Sequence, residues 1–176
     1  MDGKVLVAYA SKYGSTQEGA EAIAETLRES GFEVDLQPMR KVRTLAGYGA
    51  VVLGAPLYFG LWHKDALNLL SRNEDVLAQR PVAIFALGPN SNDEKEMQGS
   101  RAQLDKGLAK FPWLTPVVIE VFGGKYPAKL RFPESLIASL PASPLHGMLA
   151  SDVRDWTAIR AWAGSLAAKL QPGLSQ

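Results

Sequence analysis

The sequence predicts an α/β protein of three layers, a five-stranded parallel sheet with helices on both faces. Two observations carry that expectation. Short, nearly continuous apolar runs recur along the chain, as strands covered on both faces require. Segments with helical apolar spacing separate them, and strands alternating with helices specify a parallel sheet joined by right-handed crossovers.

The first run, "KVLVAYA" (residues 4–10), is a buried strand. Residues 18–30 place Ala20, Ile23, Ala24 and Leu27 at helical spacing, with a capping box expected from Ser15 and Glu18 and a stop at Gly31. "FEVDLQP" (32–38) alternates as a strand does, and "YGAVVLGAP" (48–56) holds a third strand over 50–54. Residues 65–74 read as a helix with Ala66, Leu67, Leu69 and Leu70 inward. "PVAIFALG" (81–88) is the fourth strand, 94–110 a helix, and "TPVVIEVFGG" (115–124) the fifth strand. Residues 155–170 form an amphipathic closing helix in which Trp156 and Trp162 pack, and 171–176 are expected to fray. The 176 residues read as one domain with an inserted segment at about 123–151.

Composition excludes several classes of function. Hydrophobic residues make up 47% and charged residues 21%, the balance of a soluble globular protein. A formal charge of +1 with dispersed Lys and Arg argues against nucleic acid. Cysteine is absent, which removes disulfides, thiolate nucleophiles and iron–sulfur ligation. Two histidines, His63 and His146, leave little for a transition-metal site, and no metal is expected. The N-terminal apolar run is too short to span a bilayer and lacks a signal peptide's basic lead, so the expected address is the cytoplasm.

Ligands of such sheets bind beyond the carboxyl ends of the strands, which singles out the loops at 11–16, 55–64, 88–93 and from 123 onward. In "SKYGST", Ser11, Lys12, Tyr13, Gly14, Ser15 and Thr16 stand where a helix begins. Unpaired N–H groups and a partial positive charge suit an anion there, hydroxyls add donors, and Gly14 permits a tight turn. Helix capping by Ser15 or Thr16 is the plain alternative. A dinucleotide loop is excluded by the single glycine, and a mononucleotide P-loop is absent. Receiver-type phosphoaspartyl chemistry lacks its carboxylate at the end of the first strand.

"ASKYGST" resembles the phosphate loop of the flavodoxins, [ST]-x-[ST/Y]-G-x-T, which holds the phosphate of FMN. The resemblance covers nearly the whole chain and implies a flavodoxin-like fold. Three stretches, "VVLGAPLYFGLWHKD" (51–65), "VFGGKYP" (121–127) and "SDVRDW" (151–156), are similar to segments of the menaquinone-dependent protoporphyrinogen oxidases. That family is flavodoxin-like, with a segment inserted near the C-terminus.

Other loops extend the FMN site that the resemblance implies. Pro56, Leu57, Tyr58, Phe59, Gly60 and Trp62 offer a flat apolar wall and backbone polar groups, although Leu57, Phe59 and Leu61 also suit anchoring in the core. Gly88, Pro89 and Asn90 offer backbone and amide contacts, or form a turn that caps the next helix at Asn92 or Asp93. Their loop lacks the aromatic that many electron-carrying flavodoxins stack on the outer flavin face, which favours an exposed, reactive ring. Gly123, Gly124, Lys125 and Tyr126 are placed at the flavin edge. Beyond them lies a long apolar segment with Leu130, Phe132, Leu136, Ile137, Leu140, Leu145 and Met148, in which "FPESLIASL" suits a short helix. It is expected to pack over the flavin end of the sheet or against a partner surface.

The resulting expectation is an FMN-binding oxidoreductase in which the flavin, and no side chain, carries the chemistry. By resemblance it passes electrons between an organic substrate, such as protoporphyrinogen, and a quinone. A flavodoxin carrier between redox proteins and a flavin-free interaction module are the alternatives. The inserted segment leaves three roles open: lid, contact in a homo-oligomer, or peripheral contact with a membrane.

Overall fold

The computed structural model describes residues 3–143 and 145–171. Strands β1 (Lys4–Tyr9), β2 (Val34–Pro38), β3 (Tyr48–Tyr58), β5 (Val82–Leu87) and β6 (Val118–Phe122) form a parallel sheet in the order β2-β1-β3-β5-β6. A sixth strand, β4 (Leu61–Trp62), folds back antiparallel on β3 with Leu57 opposite Trp62. The helices are α1 (Ser15–Glu29), α2 (Lys64–Arg72), α3 (Glu74–Leu77), α4 (Glu94–Leu108), α5 (Glu134–Ala138) and α6 (Trp156–Leu170). The five expected parallel strands are present, and the sixth is the addition.

Alternation along the strands builds two cores. Val5 and Val7 of β1, with Val52 and Phe85, face α1 and α6, where they meet Ile23, Leu27, Ile159 and Leu166. Leu6 and Ala8, with Val51, Leu53 and Ile84, face the other way, onto Leu69 and Leu70 of α2 and Leu104 of α4. A side chain of this size contributes roughly 1.5–3 kcal/mol when fully buried, so covering both faces is the main stabilising term. In the first core Phe85, Phe122 and Trp162 pack with ring centroids 5.9–6.5 Å apart. Gly54 is required beside them, because a Cβ there would lie 1.9 Å from the Phe85 ring.

Since the chain passes from β1 to β2 on one side and then to β3 on the other, the switch point lies at the carboxyl ends of β1 and β3. The first-strand loop and the β3 loop are therefore brought together by topology. The closing part of the chain reaches the same end. Strand β7 (Lys125–Tyr126) pairs antiparallel with β8 (Ser151–Asp152) and pinches the base of the inserted segment, which carries α5.

Two local expectations are corrected. Helix α1 starts at Ser15 instead of Glu18, and the capping box does not form: Gly14 is the N-cap, at φ 89°, and no side chain caps the helix. The helix expected over 65–74 breaks at Asn73, whose amide caps back onto the Leu69 carbonyl, and resumes as α3. Residues 172–176, expected to fray, lie outside the described residues.

Candidate functional site

The anion-ready end of α1 is unusually unsatisfied. The first i→i−4 bond runs from Glu18 N–H to the Gly14 carbonyl, 3.0 Å, so the N–H groups of Ser15, Thr16 and Gln17 have no intrahelical acceptor. Ser11 Oγ accepts from Gly14 N–H at 2.9 Å and holds the loop closed. Thr16 is fully buried, and its Oγ1 has no hydrogen-bond partner. A buried hydroxyl left without a partner costs about 1–3 kcal/mol, a penalty an incoming anion would relieve. The left-handed backbone of Gly14 has open space around it and brings the chain into the helix without a side chain over the cradle.

Beside this helix end a cavity of about 240 Å³ opens. Tyr13 and Ser15 form one end, Pro56, Leu57, Tyr58 and Phe59 one wall, and Leu87, Gly88 and Asn90 the next. Gly124, Lys125, Tyr126 and Pro127 close the rim, with Leu130, Glu134, Leu145 and Met148 from the inserted segment above. The cavity thus joins an electropositive, donor-rich end to a largely apolar body, which is the complement of a phosphorylated planar ring.

The β3–β4 hairpin sets the wall. Its two-residue turn has positive φ at both positions, 48° at Phe59 and 77° at Gly60, as a primed turn demands. Phe59 is consequently thrown outward, 64% exposed, at the cavity edge. Burial, with smaller contributions from Tyr13 and Glu134, pushes the Tyr58 phenol up to about 12, so it remains a hydrogen-bond donor. Trp62 is the correction here. Expected in the wall, it is 2% exposed, packs in the second core, and donates from Nε1 to the Ala55 carbonyl at 3.1 Å. The hairpin pairs it with Leu57, which turns it beneath the sheet end.

The remaining expected residues divide by position. Gly124 approaches backbone so closely that a Cβ would lie 2.6 Å from the Gly88 carbonyl oxygen, and its N–H donates to the Pro89 carbonyl at 2.7 Å. Gly123 is buried against Asn92 and Val153 and does not line the cavity, nor does Gly60, which faces Gln103. Pro89 acts through its carbonyl, and Asp93 caps α4 through Lys95 and Glu96 N–H groups. Ser11 and Lys12 line a separate, neighbouring groove.

The inserted segment is tied to the first loop. Lys12 Nζ donates to Glu134 Oε2, Arg131 N–H donates to Tyr13 Oη at 3.1 Å, and Arg131 Nη1 donates to the Lys12 carbonyl at 3.4 Å. The Lys12 ammonium holds the Glu134 carboxyl below the usual carboxylate range. Docking over this end of the sheet is partial: Leu130, Leu145 and Met148 line the cavity, Met148 while still exposed, and Phe132, Leu136, Leu140 and Leu149 stay exposed.

One positioning residue was invisible in the sequence. Arg154, with a side chain 3% exposed, reaches Glu18 at 2.5 Å, Asp152 at 2.6 Å and the Ser15 carbonyl at 3.2 Å, stacked 4.6 Å from the Trp156 ring. It fastens the start of α1 to the base of the inserted segment. "SDVRDW" drew notice only by resemblance, because partners 136 residues apart in sequence leave no local pattern.

A parallel sheet in the order β2-β1-β3-β5-β6, with helices on both faces, is the flavodoxin-like class of fold. The chain belongs to the flavodoxin-domain family, whose model matches residues 6–135. Among solved structures it is similar to a flavodoxin from Streptococcus pneumonia TIGR4, with a TM-score of 0.59 at 17% identity over 94% of this chain and 98% of that one. A flavodoxin from the domain Archaea superposes with a TM-score of 0.57 at 14% identity, over 95% and 98% of the two chains. An NAD(P)H dehydrogenase (quinone) of Caulobacter vibrioides (strain NA1000 / CB15N) is 38% identical over 32% of this chain and 40% of its own length. The chain spans less than half the length of that relative. Among the described residues, no helix is long and apolar enough to cross a membrane.

Proposed function

We propose that this chain binds FMN and works as an oxidoreductase that accepts electrons from NAD(P)H and delivers them to a quinone. The observation that carries the FMN reading is the orphaned, buried Thr16 Oγ1 beside three unsatisfied N–H groups, at a helix end whose Ser15 lines the apolar cavity while Thr16 and Gly14 lie behind it. Those donors would hold the phosphate. Pro56–Phe59, Gly88, Asn90 and Gly124–Tyr126 would contact the rest of the molecule. Bound FMN supplies transfer of electrons or hydride through its ring.

The chain's own residues have supporting tasks. The Tyr58 phenol keeps its proton at neutral pH and can donate at the cavity wall. Leu130 and Leu145, which line the cavity from the inserted segment, would limit water above it. The loop after β5 brings Gly88 and Asn90, and no aromatic ring, to the cavity. A flavin face that no ring of this loop would cover favours an enzyme over a carrier. The partly matched quinone dehydrogenases supply the candidate reductant and oxidant.

A second reading, a bulky tetrapyrrole of the protoporphyrinogen kind as electron donor, is favoured by the exposed apolar side chains Phe132, Leu136 and Leu149 on the inserted segment. One experiment separates the readings. The purified protein should be yellow and release FMN, NAD(P)H should bleach it anaerobically, and added quinone should restore the colour. Bleaching by protoporphyrinogen and not by NAD(P)H would select the second reading. A colourless protein that takes up no FMN would exclude both.

A further inference from the structure

A second cavity, of about 500 Å³, lies beside the first-strand loop and shares none of the flavin pocket's lining residues. It is walled by the ends of β1 and β2, the turn at Met39–Lys41 and the start of α2, with Arg131 reaching in from the inserted segment. Lys12, Arg40, Lys64 and Arg131 line it, against the single lining carboxylate of Asp65.

The pairing of these charges is uneven. Asp65 is engaged by Arg40 at 3.7 Å and by the neighbouring His63 ring at 3.8 Å, while Lys12 is taken by Glu134. Lys64 and Arg131 have no carboxylate partner among the described residues. Arg131 instead lies 5.9 Å over the Tyr13 ring. His63 Nδ1 accepts from Asp65 N–H at 3.2 Å, which assigns the proton of the neutral ring to Nε2. Ser11 and Gln17 add uncharged donors to the walls. A concave surface with surplus positive charge and neutral donors matches a phosphomonoester dianion, since a carboxylate would balance only one of the two free cations.

We propose that this groove takes the 2′-phosphate of NADPH, so that the chain selects NADPH over NADH. The inference rests on the proposed function for the identity of the nucleotide. The two cavities adjoin across residues 12 and 13, with Lys12 facing one and Tyr13 the other. A dinucleotide extended across that strut would place its remote phosphate in the groove and its nicotinamide toward the flavin pocket. NADH carries a hydroxyl at the same position and leaves the surplus charge unanswered.

The test uses the full-length, FMN-loaded protein and the double variant Lys64→Gln/Arg131→Gln, both exposed residues outside the flavin pocket. Calorimetry with 2′,5′-ADP and 5′-AMP should show 2′,5′-ADP binding at least roughly ten- to a hundredfold tighter to the unaltered protein, the effect of one charge-assisted contact. The double variant should lose that preference and keep its flavin spectrum. In turnover, KM for NADPH should rise by the same factor, with KM for NADH and kcat unchanged. Equal binding of the two nucleotides, a preference that survives in the double variant, or inorganic phosphate binding as tightly as 2′,5′-ADP would each overturn the proposal. If neither NADPH nor NADH reduces the flavin, the proposed reductant falls, and the calorimetric comparison still decides whether the groove recognises a nucleotide 2′-phosphate.

Discussion

Thr16 is a residue whose cost in the free protein is its value in the complex. Its hydroxyl is fully buried and unpartnered, so replacing it by the near-isosteric valine removes an unmet polar group without opening a cavity. Thr16→Val should therefore leave the flavin-free protein as stable as before or more so. The same change should weaken FMN roughly ten- to a hundredfold, the loss of one charge-assisted hydrogen bond. Denaturant melts of the free protein and fluorescence titration with FMN check the two halves. A merely structural threonine would give the opposite pattern, a stability loss with FMN affinity intact. Tyr58 offers a second residue-scale check. With its phenol pushed up to about 12 by burial, ultraviolet titration should show a late tyrosine ionisation near pH 12. Its folded value lies above the ordinary value of 10, so its contribution to stability is whole below pH 10 and is lost as pH rises toward 12. Tyr58→Phe should remove that late step from the titration.

At the scale of elements, the inserted segment hangs on a few polar ties. Lys12 holds the Glu134 carboxyl below its ordinary range, so the tie is complete above the ordinary value of 4.5 and is lost as pH falls through the lowered one. Glu134→Gln should loosen the segment at neutral pH as acid does for the unaltered chain. A partly exposed pair contributes about 1 kcal/mol at most, so limited proteolysis between 128 and 143 should speed up by no more than about fivefold. No change in cleavage would show that Leu130, Leu145 and Met148 hold the segment without the ion pair. How much of this scale was legible depends on period and reach. The five parallel strands could be read because burial on both faces turns them into apolar runs, and "SKYGST" because its donors are consecutive. The two-residue strand at Leu61–Trp62 was too short to carry a period, and its turn uses Phe59 where asparagine or aspartate is usual. Missing that hairpin put Trp62 in the cavity wall instead of the core. Arg154, and the meeting of Arg40, Lys64 and Arg131 in one groove, depend on contacts between distant segments, which no local pattern records.

For the whole molecule, folding and cofactor binding are one linked equilibrium, because the cradle exists only when β1, α1 and the loop after β3 are assembled. A ligand that binds only the folded state stabilises it by about 2.7 kcal/mol at a hundredfold excess over Kd and about 4.1 at a thousandfold. For a chain of this length each kcal/mol moves Tm by roughly 2–4 °C, so saturating FMN should raise Tm by about 5–15 °C. Riboflavin presents the same ring without the phosphate. At equal concentration it should stabilise less, by about 1.4 kcal/mol for each tenfold loss of affinity. Crossing ligand with variant makes the assignment sharp. Thr16→Val should shrink the shift produced by FMN and leave the smaller riboflavin shift where it was, since only the phosphate would reach the helix end. Arg154→Ala should act differently. Its side chain braces the Ser15 carbonyl and Glu18 from the base of the inserted segment, so its loss should lower Tm of the flavin-free protein and reduce both ligand shifts together. Differential scanning fluorimetry over this small matrix reads every combination. Identical FMN and riboflavin shifts in the unaltered protein would mean that the first-strand loop does not hold the phosphate, whatever else the cavity binds.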